Sequence, residues 1–83
     1  MKVIQIECPD EVLISLKETP EEFNQEIRMA AAAKLYELGK LSSGRAAELA
    51  GISRVTFLQS LARYGVPIFD ITSEELKKDA ENA

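Results

Sequence analysis

The sequence predicts a mainly α-helical protein with a helix-turn-helix core, a long helix before that core, a short N-terminal β-strand and a candidate second short strand near the C-terminus. A chain of 83 residues fits one small domain. Several stretches carry helix start and stop signals, and a three-residue turn beginning at Gly51 separates two of them. We therefore interpret 1–83 as one domain, with 1–39 as the dimerisation part, 40–65 as the helix-turn-helix and 66–83 as an acidic C-terminal segment.

The first element is predicted from alternation. Ile4, Ile6 and Cys8 fall on one side of an extended chain, and more polar residues fall between them, which is typical of a short strand. A lone two-stranded pairing is marginal. Two pairing partners stay open: a second copy of the chain across a dimer, or the segment 68–71.

Two helices follow the strand. Pro9, with acidic residues after it, begins a helix of about two turns. The next helix has a capping box made by Thr19 and Glu22, and Gly39 ends it. Its apolar stripe is predicted to be Phe23, Ile27, Ala31, Leu35 and Leu38. The alanines at 30–33 are interpreted as a surface that lets another helix come close, with a homodimer seam as the alternative.

The central helix pair is marked by its caps. Ser42 or Ser43 begins the first helix, Gly51 supplies the turn, and Ser53 begins the second. The residues predicted to face the core are Ala46, Ala47, Leu49, Ala50, Phe57, Leu58 and Leu61. Ser60 departs from the motif, because a large aliphatic residue is usual there. Beyond Gly65, a capping box of Thr72 and Glu75 predicts a final helix over 73–81.

The charge is segregated along the chain. The formal net charge is −4, which alone argues against nucleic acid. Residues 1–27 hold two basic and seven acidic side chains (net −5), 28–63 hold six and two (net +4), and 64–83 hold two and five (net −3). The cationic block therefore coincides with the helix-turn-helix motif.

This coincidence predicts DNA binding through the second helix of the pair. Arg54 is suited to a bidentate contact with guanine, Gln59 to one with adenine, and Thr56 to a base or a phosphate. Lys40, Arg45 and Arg63 are placed for phosphates. The predicted DNA-binding residues are Arg45, Ser53, Arg54, Val55, Thr56, Gln59 and Arg63. Two copies on two half-sites would be needed, because one copy makes few phosphate contacts.

The stretch KLSSGRAAELAGISRVTFLQSLARYGVP, Lys40 to Pro67, resembles a family of small uncharacterised prokaryotic proteins regarded as antitoxins. The likeness extends over nearly the whole chain, including the VIQIECPDEV opening. It implies a dimeric, cytoplasmic DNA-binding antitoxin that represses its own operon and neutralises a PIN-domain ribonuclease toxin, in a VapBC-like arrangement.

The C-terminal segment is a candidate surface for such a toxin. Its apolar anchors are Ile68, Phe69, Ile71 and Leu76, which would suit a short element laid into a groove of the partner. The alternative is that the segment folds back on its own core, because exposed Phe69 and Ile71 would be costly. Its acidic residues lack the spacing of a calcium loop, so no metal is expected.

The alternatives to a DNA-binding antitoxin are an enzyme and an interaction adaptor. The absence of His, the single Cys and the lack of a glycine-rich phosphate loop leave only carboxylates as chemical groups, so we expect no enzyme activity and no cofactor. The other class is a protein-interaction adaptor that uses the helical hairpin as a scaffold without binding DNA. No run of apolar residues approaches the length of a membrane span, and the default location is the cytoplasm.

Overall fold

A computed structural model describes residues 1–69. This part of the chain is mainly helical, as the sequence predicts. The elements are α1 (Asp10–Leu16), α2 (Pro20–Glu37), α3 (Ser43–Ala50), α4 (Arg54–Ser60) and a 3-10 helix (Leu61–Tyr64) that continues directly from α4. The predicted final helix over 73–81 and its capping box lie outside the described residues.

The predicted strands require correction. Residues 1–9 have no regular secondary structure, and neither do 66–69, so no strand is present within residues 1–69. Since a strand exists only through its pairing, alternation in one segment does not by itself create one. The described part of the chain offers Val3 to Cys8 no pairing partner, and the alternative of pairing with Ile68 and Phe69 is not realised. Ile71 lies outside the described residues.

Helix α1 is short and lies on the surface. It begins at Asp10, one residue later than predicted, because Pro9 is an extended N-cap, and it ends at Lys17, which has a left-handed conformation (φ 57°). None of its residues is buried. Val12, Leu13 and Leu16 lie on one face of α1, but Leu13 is half-buried while Val12 and Leu16 are exposed, so this face is not covered within the described chain.

Helix α2 begins at the predicted capping box. The Thr19 hydroxyl accepts a hydrogen bond from the Glu22 amide at 3.1 Å, and the Thr19 amide donates to the Glu22 carboxylate at 3.0 Å. Hydrogen bonding of the Glu22 carboxylate with the Thr19 amide, and to a smaller extent with the Thr19 side chain, lowers the pKa of Glu22. A hydrogen bond with Glu26 and the nearby negative charge raise the pKa of Glu18 to about 6. The first turn of α2 is thus a strongly acidic surface.

The buried face of α2 differs from the predicted one. Ala32, Ala33 and Tyr36 are buried, while Ala31 and Leu38 are exposed; Phe23, Ile27 and Leu35 are half-buried. The stripe is therefore rotated by about one residue, to positions spaced i, i+1 and i+4. Alanine is compatible with either face, and Tyr36 is the large side chain that determines which one is buried.

The core lies between α2 and the helix pair. Its small residues are Ala32, Ala33, Ala46, Ala47 and Ala50, and its large ones are Tyr36, Phe57, Leu58, Leu61 and Val66. The alanines let α2 and α3 approach closely, so this part of the alanine run serves a helix contact within the chain. Leu49 packs against the core without being fully buried. In the described residues no helix is both long and apolar enough to cross a membrane.

Candidate nucleic-acid interface

The helix pair is held at its turn by Gly51. This residue has φ 74° and ψ 28°, and its amide bonds to the Glu48 carbonyl at 3.1 Å while the Ile52 amide bonds to the Ala47 carbonyl at 3.1 Å. This is the Schellman pattern that ends a helix with glycine in the left-handed region. The turn from Gly51 to Ser53 then leads into α4, which is the second helix of the pair.

Two side chains of α2 complete the end of α3. The Arg28 Nε donates to the Leu49 carbonyl at 2.7 Å, and the Gln25 amide nitrogen donates to the Ala50 carbonyl at 2.8 Å. The last carbonyls of a helix have no partner within it and carry partial negative charge, so a guanidinium is favourable there. Arg28, counted in the cationic block, thus fixes the helix pair against α2.

The start of α4 presents a polar surface. Ser53 is the N-cap, since its hydroxyl accepts from the Thr56 amide at 3.1 Å and donates to the Thr56 hydroxyl at 2.8 Å. Thr56 and Gln59 are exposed one turn apart, on the same helix face, and Val55 is half-buried. The exposed face of α4 therefore carries the predicted Thr56 and Gln59 together.

Arg54 is tied to the first helix of the pair. Its Nε donates to the Ser43 hydroxyl at 2.8 Å, and Ser43 is fully buried. Arg54 itself is half-buried. The bond fixes the direction of the guanidinium relative to α3, which was not foreseen from the sequence.

The residues predicted to contact phosphates are all exposed. Arg45, on α3, is exposed and forms an ion pair with Glu48 at 2.9 Å, which contributes little at such exposure. Lys40 and Arg63 are exposed, and neither side chain forms a hydrogen bond or an ion pair within residues 1–69. Some cations of residues 28–63 therefore donate hydrogen bonds within the chain, as Arg28 and Arg54 do, and others lie exposed at the surface.

The C-terminal anchors are partly packed on the core. The Tyr36 ring makes an edge contact with Phe57 at 5.8 Å between centroids and stacks on Phe69 at 4.3 Å. The Phe69 amide also donates to the Tyr36 hydroxyl at 2.9 Å. Phe69 and Ile68 nevertheless remain about half exposed, at 53% and 45%. Ile71 and Leu76 lie outside the described residues.

Some of these roles had no visible signal in the sequence. Gln25 and Arg28 share a helix face with Ala32, but their partners are backbone carbonyls far along the chain, and carbonyls are the same in every residue. Ser43 was considered only as an alternative cap to Ser42, and the structure assigns the cap to Ser42. Within residues 1–69 no group of three or more His, Cys, Asp or Glu side chains is arranged to hold a metal ion.

A small helical protein with a central pair of helices joined by a three-residue turn is the class that these features define. The chain belongs to the uncharacterised protein family UPF0175, whose profile matches residues 1–83.

Relatives in archaea carry the same family name. A UPF0175 protein of Aeropyrum pernix is 41% identical over 80 residues, which cover 96% of this chain and 84% of the relative. A UPF0175 protein of Archaeoglobus fulgidus is 41% identical over 58 residues, covering 69% and 64% of the two chains. No solved structure matches this chain at a comparable level of significance.

Proposed function

We propose that this protein is a DNA-binding transcriptional autoregulator that acts as a homodimer and serves as the antitoxin of a PIN-domain ribonuclease. The observation that carries the DNA-binding part is the exposed polar face of α4. Thr56 and Gln59 lie on it, one turn apart and close after the turn that joins α4 to α3. In helix-turn-helix proteins this part of the second helix enters the major groove.

The structure suggests a role for each side chain. Gln59 would read adenine, whose N6 and N7 match a carboxamide. Arg54, directed by its bond to the buried Ser43, would contact guanine beside it. Lys40, Arg45 and Arg63 would bind phosphates, and the weak surface ion pair of Arg45 would open at little cost.

The DNA-binding proposal predicts two distinct losses. Binding is measured by fluorescence anisotropy on the promoter region of the protein's own operon and on unrelated DNA, at several salt concentrations. Gln59→Ala should lower the preference for the promoter by about 5-fold to 150-fold, corresponding to one lost bidentate base contact. Arg63→Ala should weaken binding to both DNAs and reduce the salt slope by about 0.9, for one phosphate contact.

A matched control is available on α2. Lys34 is exposed and already pairs with Glu37 of the same helix at 2.6 Å, and Lys34→Ala changes the net charge as Arg63→Ala does. It should leave the promoter preference and the salt slope nearly unchanged. If wild-type protein shows no salt-sensitive binding at micromolar concentration, the DNA-binding proposal is wrong.

The antitoxin part of the proposal is supported by the resemblance of Lys40–Pro67 and by the exposed anchors at the C-terminal end of the described chain. Ile68 is 45% exposed and has no hydrogen bond within residues 1–69. If a PIN-domain nuclease is encoded beside this gene, we expect Ile68→Asp to reduce co-purification with that nuclease by at least tenfold. The variant should keep its helical circular dichroism spectrum and melting temperature, since Ile68 lies outside the core.

The adaptor is the second candidate function. It is favoured by the internal use of Arg28 and Arg54, which takes two of the six cations of 28–63 into contacts within the chain. A partner complex that forms normally in Gln59→Ala and Arg63→Ala, from a protein without DNA affinity, would establish the adaptor and exclude the autoregulator.

A further inference from the structure

The N-terminal part of the chain carries an uncovered apolar surface. Val3, Ile4 and Ile6 are 90%, 83% and 64% exposed. Of the large apolar side chains exposed within residues 1–69, seven fall in the first sixteen positions: Met1, Val3, Ile4, Ile6, Val12, Ile14 and Leu16. Large exposed apolar side chains concentrated in this way in a small protein mark an interaction site.

The backbone beside this surface is ready for strand pairing. Residues 3–7 make no backbone hydrogen bond within the described chain. Ile4, Ile6 and Cys8 line a cleft of about 190 Å³ together with Leu13 of α1 and several residues of α2, and Val3, Gln5 and Glu7 do not. The segment therefore has the alternating faces of a strand and unpaired edges, which are a template for another strand.

We infer that residues 3–7 pair with the same residues of a second copy, as an antiparallel two-stranded ribbon with Gln5 opposite Gln5. The inference rests on the homodimer proposed above and not on DNA binding. In this register Ile4 of each copy lies opposite Ile6 of the other. All four isoleucines then fall on one face of the ribbon, the face that lines the two clefts.

A second copy of the chain is the pairing partner that fits residues 3–7, because this segment is complementary to itself in this register. A slip by one residue would place isoleucines on opposite faces. Pairing Ile4 with Ile4 would leave Ile6 opposite Lys2. Pairing Ile6 with Ile6 would bring the two Glu7 side chains to within roughly 7 Å along the strands, at about 3.4 Å per residue.

The charge of the segment also selects this register. Residues 1–27 have net charge −5, so a dimer must keep its carboxylates apart. With Gln5 opposite Gln5, Glu7 faces Val3 of the second copy. The two Glu7 positions are then separated by four residues, roughly 14 Å, which exceeds the Debye length of about 8 Å at physiological salt. The acidic N-terminal part thus dimerises without opposing carboxylates directly.

Cysteine cross-linking tests the register. In a Cys8→Ser background, Gln5→Cys should form a disulfide-linked dimer nearly completely under mild oxidation, because directly opposite residues lie within the Cα distance of a disulfide, about 4.4 to 6.8 Å. Val3→Cys and Glu7→Cys should each fail to cross-link alone. A mixture of the two variants should cross-link, since Val3 lies opposite Glu7. Wild-type Cys8 should not cross-link.

The outcomes separate this inference from the proposed function. A monomeric mass by light scattering at tens of micromolar protein overturns both the homodimer and the ribbon. A dimeric mass with no Gln5→Cys cross-link, or with efficient cross-linking of Val3→Cys alone, overturns the ribbon and leaves the homodimer. A cross-linked dimer that does not bind DNA supports the ribbon and contradicts the autoregulator.

Discussion

Replacing Tyr36 by alanine is expected to lower the free energy of unfolding by about 3–5 kcal/mol, the range for removing a buried aromatic side chain. Tyr36 is fully buried and contacts Phe57 on one side and Phe69 on the other. A domain of this size has roughly 4–12 kcal/mol of stability in total. Tyr36→Ala should therefore be largely unfolded at modest urea concentrations, as measured by circular dichroism.

Two variants isolate the contribution of the ring. Tyr36→Phe removes the acceptor of the Phe69 amide and keeps the packing, so it should cost only about 1 kcal/mol. Tyr64→Ala removes a tyrosine that is 39% exposed and should cost less than Tyr36→Ala by at least about 2 kcal/mol. Equal losses for Tyr36→Ala and Tyr64→Ala would show that Tyr36 is not the centre of the core.

The helices and their ends were predictable from local chemistry. Capping at Thr19, Ser42 and Ser53 and the left-handed Gly51 depend on residues within a few positions of one another. Residues close to each of these positions in the sequence therefore account for these three helix starts and for the left-handed turn. The buried side of the helix pair could also be predicted from the sequence, because Ala46 and Phe57 belong to helices with one clear apolar face.

Other features depend on distant parts of the chain or on a second molecule. The apolar residues of α2 surround much of the helix, so periodicity alone did not identify the face that Tyr36 occupies. The strand over residues 3–8 failed as a prediction for the single chain, because pairing is a property of two segments. Charge counts also do not show whether a charged side chain faces solvent or bonds within the chain. Arg28 and Arg54 count as cations in the composition, but in the fold they donate hydrogen bonds to α3.

Replacing Gly51 by alanine is expected to cost about 2–4 kcal/mol, because two penalties coincide. At φ 74° an L-residue pays roughly 1–2 kcal/mol. The added Cβ would also lie 3.2 Å from Nη2 of Arg28, so the guanidinium must move by a few tenths of an ångström, which strains its hydrogen bond to the Leu49 carbonyl. A hydrogen bond from a charged donor contributes about 1.5–3 kcal/mol, and part of it should be lost. Urea unfolding measures the sum.

Gly65 and Arg28 supply the controls that separate the two penalties. Gly65 has φ 66° and nothing within 4 Å of an added Cβ, so Gly65→Ala should show the backbone penalty alone. In an Arg28→Ala background the cost of Gly51→Ala should fall to that of Gly65→Ala, because the group that the methyl displaces is already gone. The double-mutant cycle then reports the coupling between turn and guanidinium. An unchanged cost of Gly51→Ala in that background would mean that the left-handed backbone, and not Arg28, makes glycine necessary at the turn.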